Sequence, residues 1–368
     1  MATIVSGRAM IETEIPYSLP APTFAPGMPV EIGKIDRELK KLWEVSEGAM
    51  TRASLINLAV YSEAPESLSA NTQLISRITQ NHACRAIVIA ANPSSPKDQG
   101  QAWISAHCHI GGAGSKQICS EQLSFRLDGS SAKFLPSIVF SHLDSDLPFY
   151  LWWQSDFHDP MEPQLWAWVD RLIYDSQPWK DFDSQMRSIE TAQAEAKQRI
   201  VLCDLNWTRL VHIRLALAQF FDHPAAHHHF DEIDCVQIDF APGFKSAAVL
   251  LIGWLAAQLK WRLEKTRDDD ALRFIDSSDR SITVEMNEKP GEPIGRMVIR
   301  SGKITFSVSH ATGSDLLEVI QQKPDATGAC QLIPAGSNDA VALVSEELRR
   351  GGPHRIYLRA IECVRDLL

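Results

Sequence analysis

The stretch from Asp146 to Asp175, DLPFYLWWQSDFHDPMEPQLWAWVDRLIYD, decides how this chain folds. Its first part, Leu147–Trp153, is almost entirely apolar and aromatic, which is typical of a strand covered on both faces within an α/β sheet. The DPME segment at Asp159–Glu162 provides a capping aspartate, a proline for the first helical position and a glutamate that can complete a capping box. Because Arg171–Asp175 has a second strand pattern, the stretch predicts a right-handed, parallel strand–helix–strand unit.

The loops that follow these two predicted strands form the first candidate site, since open α/β sheets usually bind ligands at the carboxyl ends of their strands. These loops contain Trp152, Trp153, Asp156, Asp175 and Ser176. Consecutive strand residues point to opposite faces, so one tryptophan can be core while the other lies near Asp156. Two interpretations stay open. Both tryptophans pack beneath flanking helices, or one is an aromatic anchor at a protein interface, where Trp, Tyr and Arg are enriched.

Composition divides the chain into three predicted segments. Residues 1–30 contain five prolines and predict an extended, proline-rich lead-in. Residues 31–222 predict an α/β domain with an open, largely parallel sheet and a β-hairpin, and residues 223–368 predict a smaller α+β domain with an antiparallel meander. The boundary is placed at Asp222–Asp234 (DHPAAHHHFDEID), where the composition changes abruptly.

Three patterns within the first domain predict its elements. Apolar residues at three- and four-residue spacing predict one helix from Glu31 to near Pro65, and Cys84–Ala91 has the pattern of a buried strand. Gln101–Ile110 and Lys116–Leu127 predict the two strands of a hairpin, which is joined by the glycine-rich segment GGAG.

Cys108 and Cys119 lie symmetrically about the hairpin tip, which places them opposite each other across the predicted ladder. They belong to a set of seven cysteines without a CxxC pair, so neither a secreted disulfide framework nor a zinc module is predicted. One interpretation is a pair of reduced, half-buried thiols, as is usual in the cytosol. The other is a strained cross-strand disulfide, which would be labile and would make the two residues a redox pair.

Charge and hydropathy exclude several classes of protein. The 46 acidic side chains outnumber the 36 basic ones and give a formal net charge of −10, which argues against a nucleic-acid binder but suits a basic protein partner. The longest apolar run, Ala247–Leu259, is too short to cross a bilayer, so no membrane partner is predicted. The first residues lack the pattern of a signal peptide, and the cytoplasm is the predicted location.

The sequence contains no GxGxxG, Walker A, GxSxG or HExxH pattern, so no catalytic residue and no cofactor are predicted. His227–His229 lie near Asp231, but adjacent histidines rarely converge on one ion. This segment is interpreted as a solvated linker, and no metal site is predicted. Four charged side chains in apolar surroundings predict either internal ion pairs or a polar site for a phosphosugar or a partner carboxylate. They are Arg85, Glu121, Arg209 and Arg214.

Six stretches carry a resemblance to a known family. They are HACRAIVIAA (His82–Ala91), ICSEQLSFRLDG (Ile118–Gly129), DLPFYLWWQSD (Asp146–Asp156), DRLIYDS (Asp170–Ser176), DLNWTRL (Asp204–Leu210) and LIGWLAAQLKW (Leu251–Trp261). In this order they resemble the glucose-6-phosphate dehydrogenase assembly protein family, OpcA, of the oxidative pentose phosphate pathway. The chain departs from the family at Ser120, where a second cysteine is common, and at Val211–Arg214, where the family has Thr-Pro-Trp-Arg.

The resemblance implies a non-catalytic protein that binds glucose-6-phosphate dehydrogenase and acts as an allosteric activator by favouring the active oligomer. The candidate partner-binding residues are Arg85, Glu121, Gln122, Trp152, Trp153, Asp156, Asp175, Trp207, Thr208 and Arg209. One alternative is a phosphosugar-binding enzyme or sensor on an α/β scaffold, which would need a deep strand-end pocket lined by convergent arginines and carboxylates. A structural protein with another partner is the other alternative.

Overall fold

The computed structural model describes residues 26–44, 50–110, 117–158, 163–197, 200–222, 224–264, 272–324 and 326–368. The strands of the first sheet are β1 (Met28–Val30), β2 (Met50–Arg52), β3 (Ile56–Ser62), β4 (Cys84–Asn92), β5 (Gln99–Ile110), β6 (Gln117–Asp128), β7 (Phe149–Trp153), β8 (Arg171–Tyr174) and β9 (Val201–Asp204). The strands of the second sheet are β10 (Ile233–Phe240), β11 (Arg262–Glu264), β12 (Leu272–Ile275), β13 (Ser281–Glu288), β14 (Ile294–Ser301), β15 (Ile304–His310), β16 (Leu316–Lys323) and β17 (Ala326–Pro334).

Helices cover both sheets. The α-helices are α1 (Ile35–Glu44), α2 (Ser67–Ile78), α3 (Leu135–His142), α4 (Pro163–Trp166), α5 (Phe182–Ala196), α6 (Leu205–Thr208), α7 (Val211–Gln219), α8 (Lys245–Leu259), α9 (Ala340–Arg349) and α10 (Arg355–Val364). Short 3-10 helices span Ile32–Lys34, Gly129–Phe134, Pro224–Glu232 and Arg365–Leu367. In the described part of the chain, no helix has both the length and the apolar character that crossing a membrane requires.

The first sheet is largely parallel, as the sequence predicts. Among the described residues its main order is β1-β5-β6-β4-β3-β7-β8-β9, and β2 pairs with β6. The run from β6 to β9 is parallel throughout, whereas β5 and β1 are antiparallel additions at one edge. Numbered by their position in the chain, the six parallel strands of this run follow the doubly wound order 3-2-1-4-5-6. Its topological switch point lies between β3 and β7.

The inner strands are apolar on both faces, as expected for parallel strands that helices cover on both sides, with INLAVYS in β3, CRAIVIAAN in β4 and FYLWW in β7. Two core clusters lie on opposite sides of them. Leu151 and Trp153 of β7 belong to one cluster, and Trp152 belongs to the other, together with residues of α2 and α9. The prediction of a central strand ending at the tryptophan pair is confirmed.

The prediction of one helix from Glu31 to near Pro65 is wrong. Helix α1 ends at Glu44, and Ile56–Ser62 is the buried central strand β3. A strand that is apolar on both faces has no two-residue alternation, so its apolar residues can extend the helical spacing of the segment before it. The lead-in at residues 1–30 falls mostly outside the described residues, but Met28–Val30 pairs with β5.

The second sheet is rich in antiparallel pairs, as predicted. Its order in the described residues is β11-β12-β13-β10-β14-β15-β16-β17, and β10 with β13 is its parallel pair. Helix α8 covers this sheet and packs against α10 at Gly253, where a Cβ would lie 2.5 Å from the carbonyl oxygen of Ala360. The first sheet ends at Asp204 and the second begins at Ile233. The division at residues 222 and 223 stays a prediction.

Helix α9 follows the second sheet in the chain but packs on the first. Its Val341, Leu343 and Val344 share a core cluster with strands β3 and β4. Asp339, which caps α9 by accepting from the backbone N–H of Ala342, forms a two-point ion pair with Arg77 of α2. Helix α9 therefore completes one face of the first sheet.

Candidate functional site

The switch point of the first sheet is where a doubly wound sheet binds a ligand, and here the chain's own side chains fill it. Ser155, after β7, accepts a hydrogen bond from the backbone N–H of Glu63, after β3, at 2.8 Å. The amide of Gln154 exchanges two hydrogen bonds, of 2.8 and 3.0 Å, with the buried amide of Asn71 in α2. The loops after β3 and β7 are thus joined directly, and the crevice between them is closed.

Both tryptophans at the end of β7 are buried, with 4% of Trp152 and 8% of Trp153 exposed. The Trp153 ring stacks on Tyr61 with centroids 4.0 Å apart and on Phe157 at 5.6 Å. Burial, and then the nearby charge of Glu63, raise the pKa of Tyr61. The first interpretation of the pair, as core beneath flanking helices, agrees with this placement. The two tryptophans lie beneath the surface at the end of the strand and contribute little exposed area to it.

That surface is a shallow cleft of about 190 Å³. Its floor and walls are Trp152, Trp153, Gln154, Ser155, Asp156, Tyr174, Asp175, Pro178, Trp179, Leu205 and Ala340. Asp156 is exposed, and its backbone oxygen accepts from Nε1 of Trp153, so the carboxylate itself is free to face solvent. Asp175 keeps 30% of its side chain exposed. The cleft therefore has an aromatic floor and an acidic rim.

Asp175 and Arg209 form a two-point ion pair beside the cleft, with nitrogen–oxygen distances of 2.8 and 3.0 Å. Arg209 also donates to Asn338 through Nε, and its guanidinium lies 5.5 Å from the ring of Phe244. Only 8% of the Arg209 side chain is exposed, and its charge is already paired with Asp175 of the same molecule. The preceding residues are more deeply placed: Trp207 is buried, and the Thr208 hydroxyl donates to Glu347 at 2.5 Å.

A buried carboxylate, Asp204, lies behind the cleft at the end of β9. It caps α6 and accepts from Ser176, from the backbone N–H of Asn206 and from the Tyr357 hydroxyl, at distances between 2.6 and 3.0 Å. Burial, reinforced by the charge of Asp175, raises the pKa of Asp204 to about 6. Sequence patterns do not reveal this network, because its members lie far apart in the chain. The DLNW segment indicates only that Asp204 can cap a helix.

Arg214 completes the charged set on this side of the molecule. Its guanidinium lies 3.6 Å from the centroid of the Trp207 ring and donates to the Trp207 carbonyl oxygen. Burial lowers the pKa of Arg214 to about 9, with a smaller contribution from the charge of Arg350. Arg214 therefore packs internally over an aromatic face.

Arg85, Glu121 and Gln122 lie toward the opposite end of the sheet, where β4 begins beside the middle of β6. The buried Glu121 accepts from Nε1 of Trp43 at 2.5 Å and pairs with Arg52 at 3.1 Å and with Arg85 at 3.5 Å. Gln122 is fully buried, and its side-chain amide forms hydrogen bonds with neighbouring polar side chains. The structure thus separates the candidate residues into two groups and does not bring these three to the cleft.

Cys108 and Cys119 are directly opposite in the β5–β6 hairpin, with Cα atoms 4.1 Å apart, and are joined by a disulfide. The hairpin tip between them lies outside the described residues. His227–His229 fall within the 3-10 helix Pro224–Glu232. A regulatory role for the cysteine pair stays a prediction.

Two family models match consecutive parts of the chain. A model described as the N-terminal domain of a glucose-6-phosphate dehydrogenase subunit matches residues 75–191. A second model, described as the C-terminal domain of the same kind of subunit, matches residues 200–361. The chain belongs to the glucose-6-phosphate dehydrogenase assembly protein family, OpcA. Both family domains are matched in order: the first match ends within α5, and the second begins just before β9.

Proteins named OpcA, after the OxPP cycle, are among the relatives. The one from Nostoc punctiforme is 28% identical over 311 residues, covering 78% of this chain and 66% of that protein. The one from Synechococcus elongatus is 27% identical over 314 residues, covering 78% of this chain and 68% of that protein. The chain therefore spans about two thirds of the length of these OpcA relatives.

Among solved structures, an aldose-aldose oxidoreductase from Caulobacter crescentus matches with a TM-score of 0.47 at 10% identity, over 84% of this chain and 95% of that chain. The dehydrogenase MviM from Clostridium difficile matches with a TM-score of 0.44 at 11% identity, over 85% of this chain and 97% of that chain. Similarity at this level says nothing about ligands or activity.

Proposed function

We propose that this chain is a non-catalytic assembly factor that binds glucose-6-phosphate dehydrogenase and favours its active oligomer. The observation that carries the proposal is the ordered match of both family domains, at residues 75–191 and 200–361, whose descriptions name that dehydrogenase. The relatives named after the OxPP cycle support the same pathway. We expect the protein to act in the cytoplasm.

The switch point supports a role without a dinucleotide. The turn from β3 into α2, Ser62–Ser67, contains no glycine and carries Glu63 and Glu66. A dinucleotide site on this kind of sheet needs a close backbone approach to the pyrophosphate and a positive helix start. The lack of glycine opposes the first requirement, and the two carboxylates oppose the second. Because Gln154 and Asn71 already occupy the crevice, the residues present do not fit a nicotinamide cofactor.

The strand-end cleft also argues against a phosphosugar enzyme or sensor. Its volume of about 190 Å³ is below the roughly 300 Å³ at which small-molecule pockets begin. The described residues that line it include two aspartates and no arginine, so an anionic sugar phosphate would be repelled. The nearest arginine, Arg209, is engaged by Asp175.

An acidic rim over a rigid aromatic floor suits a basic patch on a protein partner. We place the docking surface at the cleft, with Asp156 and Asp175 at its rim and the buried tryptophans as its support. The mechanism would be a population shift, in which the chain binds the active oligomer more tightly than the inactive form and raises its share. No bond is made or broken by this chain in that mechanism.

The test is a titration of the glucose-6-phosphate dehydrogenase of the same organism, following turnover and oligomer mass by light scattering on a sizing column. We expect the wild-type chain to co-elute and to raise both quantities. Asp156→Arg should weaken binding by about tenfold, because a rim charge chiefly affects encounter and complementarity. The substitution leaves the Trp153 bond intact, since that bond uses the backbone of Asp156.

Asp315→Arg is the matched control, because Asp315 is also exposed but lies in the turn between β15 and β16 of the second sheet. It should bind like the wild type. If the wild-type chain neither co-elutes nor changes turnover, the proposed function is wrong. If the wild type binds and Asp156→Arg binds equally well, the function stands and the docking surface lies elsewhere.

A further inference from the structure

Three side chains of metal-binding type converge where the first sheet meets the end of the chain. Cys203 is in β9, Glu347 is in α9, and His354 precedes α10. The Cys203 sulfur, one Glu347 carboxylate oxygen and one His354 ring nitrogen all lie within 4.8 Å of one another. Cys203 and Glu347 are buried, and only 10% of the His354 side chain is exposed. Separations of up to 151 residues along the chain explain why no sequence pattern indicates this cluster.

The distances suit one ion at the centre. Nε2 of His354 lies 3.8 Å from Sγ of Cys203 and 3.0 Å from Oε2 of Glu347. Tetrahedral zinc with ordinary bonds to sulfur, nitrogen and oxygen separates such ligand pairs by about 3.3–3.6 Å, so small shifts of the three atoms would accommodate it. Both partners face the same ring nitrogen. A catalytic Cys–His–carboxylate relay would instead place the carboxylate at the other nitrogen.

The polar contacts of the cluster also favour an ion. Oε2 of Glu347 is buried, with its residue 1% exposed, and it pairs with Nε2 of His354 at 3.0 Å. A buried carboxylate is costly unless its charge is compensated, and a bound cation would compensate it more fully than a neutral imidazole does. The other oxygen of Glu347 accepts from Thr208, which fixes the orientation of the carboxylate.

Arg171 contacts Cys203 and the backbone just before His354. Its Nη1 lies 3.6 Å from Sγ of Cys203, and its Nη2 donates to the carbonyl oxygen of Gly352, close before His354. Such outer hydrogen bonds, which orient the ligands, are a regular part of metal sites.

We propose that Cys203, Glu347 and His354 form a binding site for one zinc-class divalent transition-metal ion. Binding would release the thiol proton to solvent and would tie β9 to both C-terminal helices. The fourth position would be filled by water, which can enter through a groove of about 400 Å³ that His354 and Pro353 help to line. The site is independent of the proposed function, since none of its ligands lines the cleft.

The test uses the untagged full chain, stripped with a chelator and then titrated with Co²⁺ and Zn²⁺. We expect one Co²⁺ per chain, with the intense visible bands of tetrahedral coordination and a near-ultraviolet charge-transfer band from thiolate sulfur. Competition with a chromophoric chelator should give a zinc Kd tighter than about 1 µM. Cys203→Ser and Glu347→Gln, which are nearly isosteric, should each weaken zinc binding more than about 100-fold.

Cys330→Ser and His228→Ala are the matched controls, since both side chains are exposed and lie outside the cluster. They should bind zinc like the wild type. Unchanged binding in Cys203→Ser, or no equimolar binding by the wild type, would overturn the proposal. If the ligand variants do not fold, the cobalt spectrum of the Cys330→Ser protein decides, because a missing sulfur band excludes Cys203 as a ligand.

Discussion

Asp204→Asn is the most direct probe of the network behind the cleft. Asp204 is fully inside the protein, and burial raises its pKa from 3.8 to about 6. A group whose pKa rises on folding stabilises the native state when it is protonated. That stabilisation is present in full below the unfolded pKa and is lost as the pH rises through about 6.

The magnitude follows from the two pKa values. Between about pH 7.5 and pH 5, the protonation of Asp204 should raise the free energy of unfolding by roughly 1–2 kcal/mol, and toward pH 3 the gain should grow to roughly 2–3 kcal/mol. The asparagine variant lacks this contribution but retains every other titrating group. The wild type should therefore gain roughly 1–2 kcal/mol more than Asp204→Asn when the pH is lowered from about 7.5 to 5.

Urea unfolding at both pH values, followed by tryptophan fluorescence, measures the two free energies for each protein. Asparagine is nearly isosteric, and the Ser176 and Tyr357 hydroxyls can reorient toward its amide, so the variant should fold. Wild type and variant with the same pH dependence would refute the reasoning. A larger gain in the variant would show that Asp204 is ionised more easily in the native state than in the unfolded one.

Three further substitutions or treatments test other parts of the structure. Gly253→Ala should lower stability in a thermal melt by about 1–3 kcal/mol, because its Cβ would lie 2.5 Å from a carbonyl oxygen of α10. Arg209→Lys should cost about 1–2 kcal/mol in urea unfolding, because lysine cannot reproduce the two-point contact with Asp175. Reduction of the Cys108–Cys119 bond, which spans 11 residues, should cost about 3 kcal/mol relative to the oxidised protein. An unchanged midpoint in any of these measurements contradicts the corresponding contact.

Local pairing was predictable from the sequence. The β5–β6 hairpin places Cys108 opposite Cys119 because a short tip fixes the register of its two strands. Strand β7 was predictable because five consecutive apolar residues leave few other arrangements beside a polar loop. Both cases depend on neighbours in the chain, where composition and spacing carry the information.

The sequence did not allow us to predict in the same way that β3 is a strand or which partners the charged side chains contact. The apolar run of β3 continues the helical spacing that precedes it, and only its pairing with β4 and β7 makes it a strand. Glu121 meets Trp43 and Arg52 through contacts that no periodicity records. The split of the candidate residues between the two ends of the sheet follows from the parallel strand order, which the sequence alone does not contain.

The return of α9 to the first sheet has a mechanical consequence. Two bodies joined by a single crossing can swing about it, but this chain crosses from one sheet to the other and then back. Val341 and Val344 pack against the first sheet, and Asp339 forms a two-point ion pair with Arg77. Because two segments of the chain connect the sheets in this way, we expect little rotation of one sheet against the other, and the change of shape on assembly should fall to the partner.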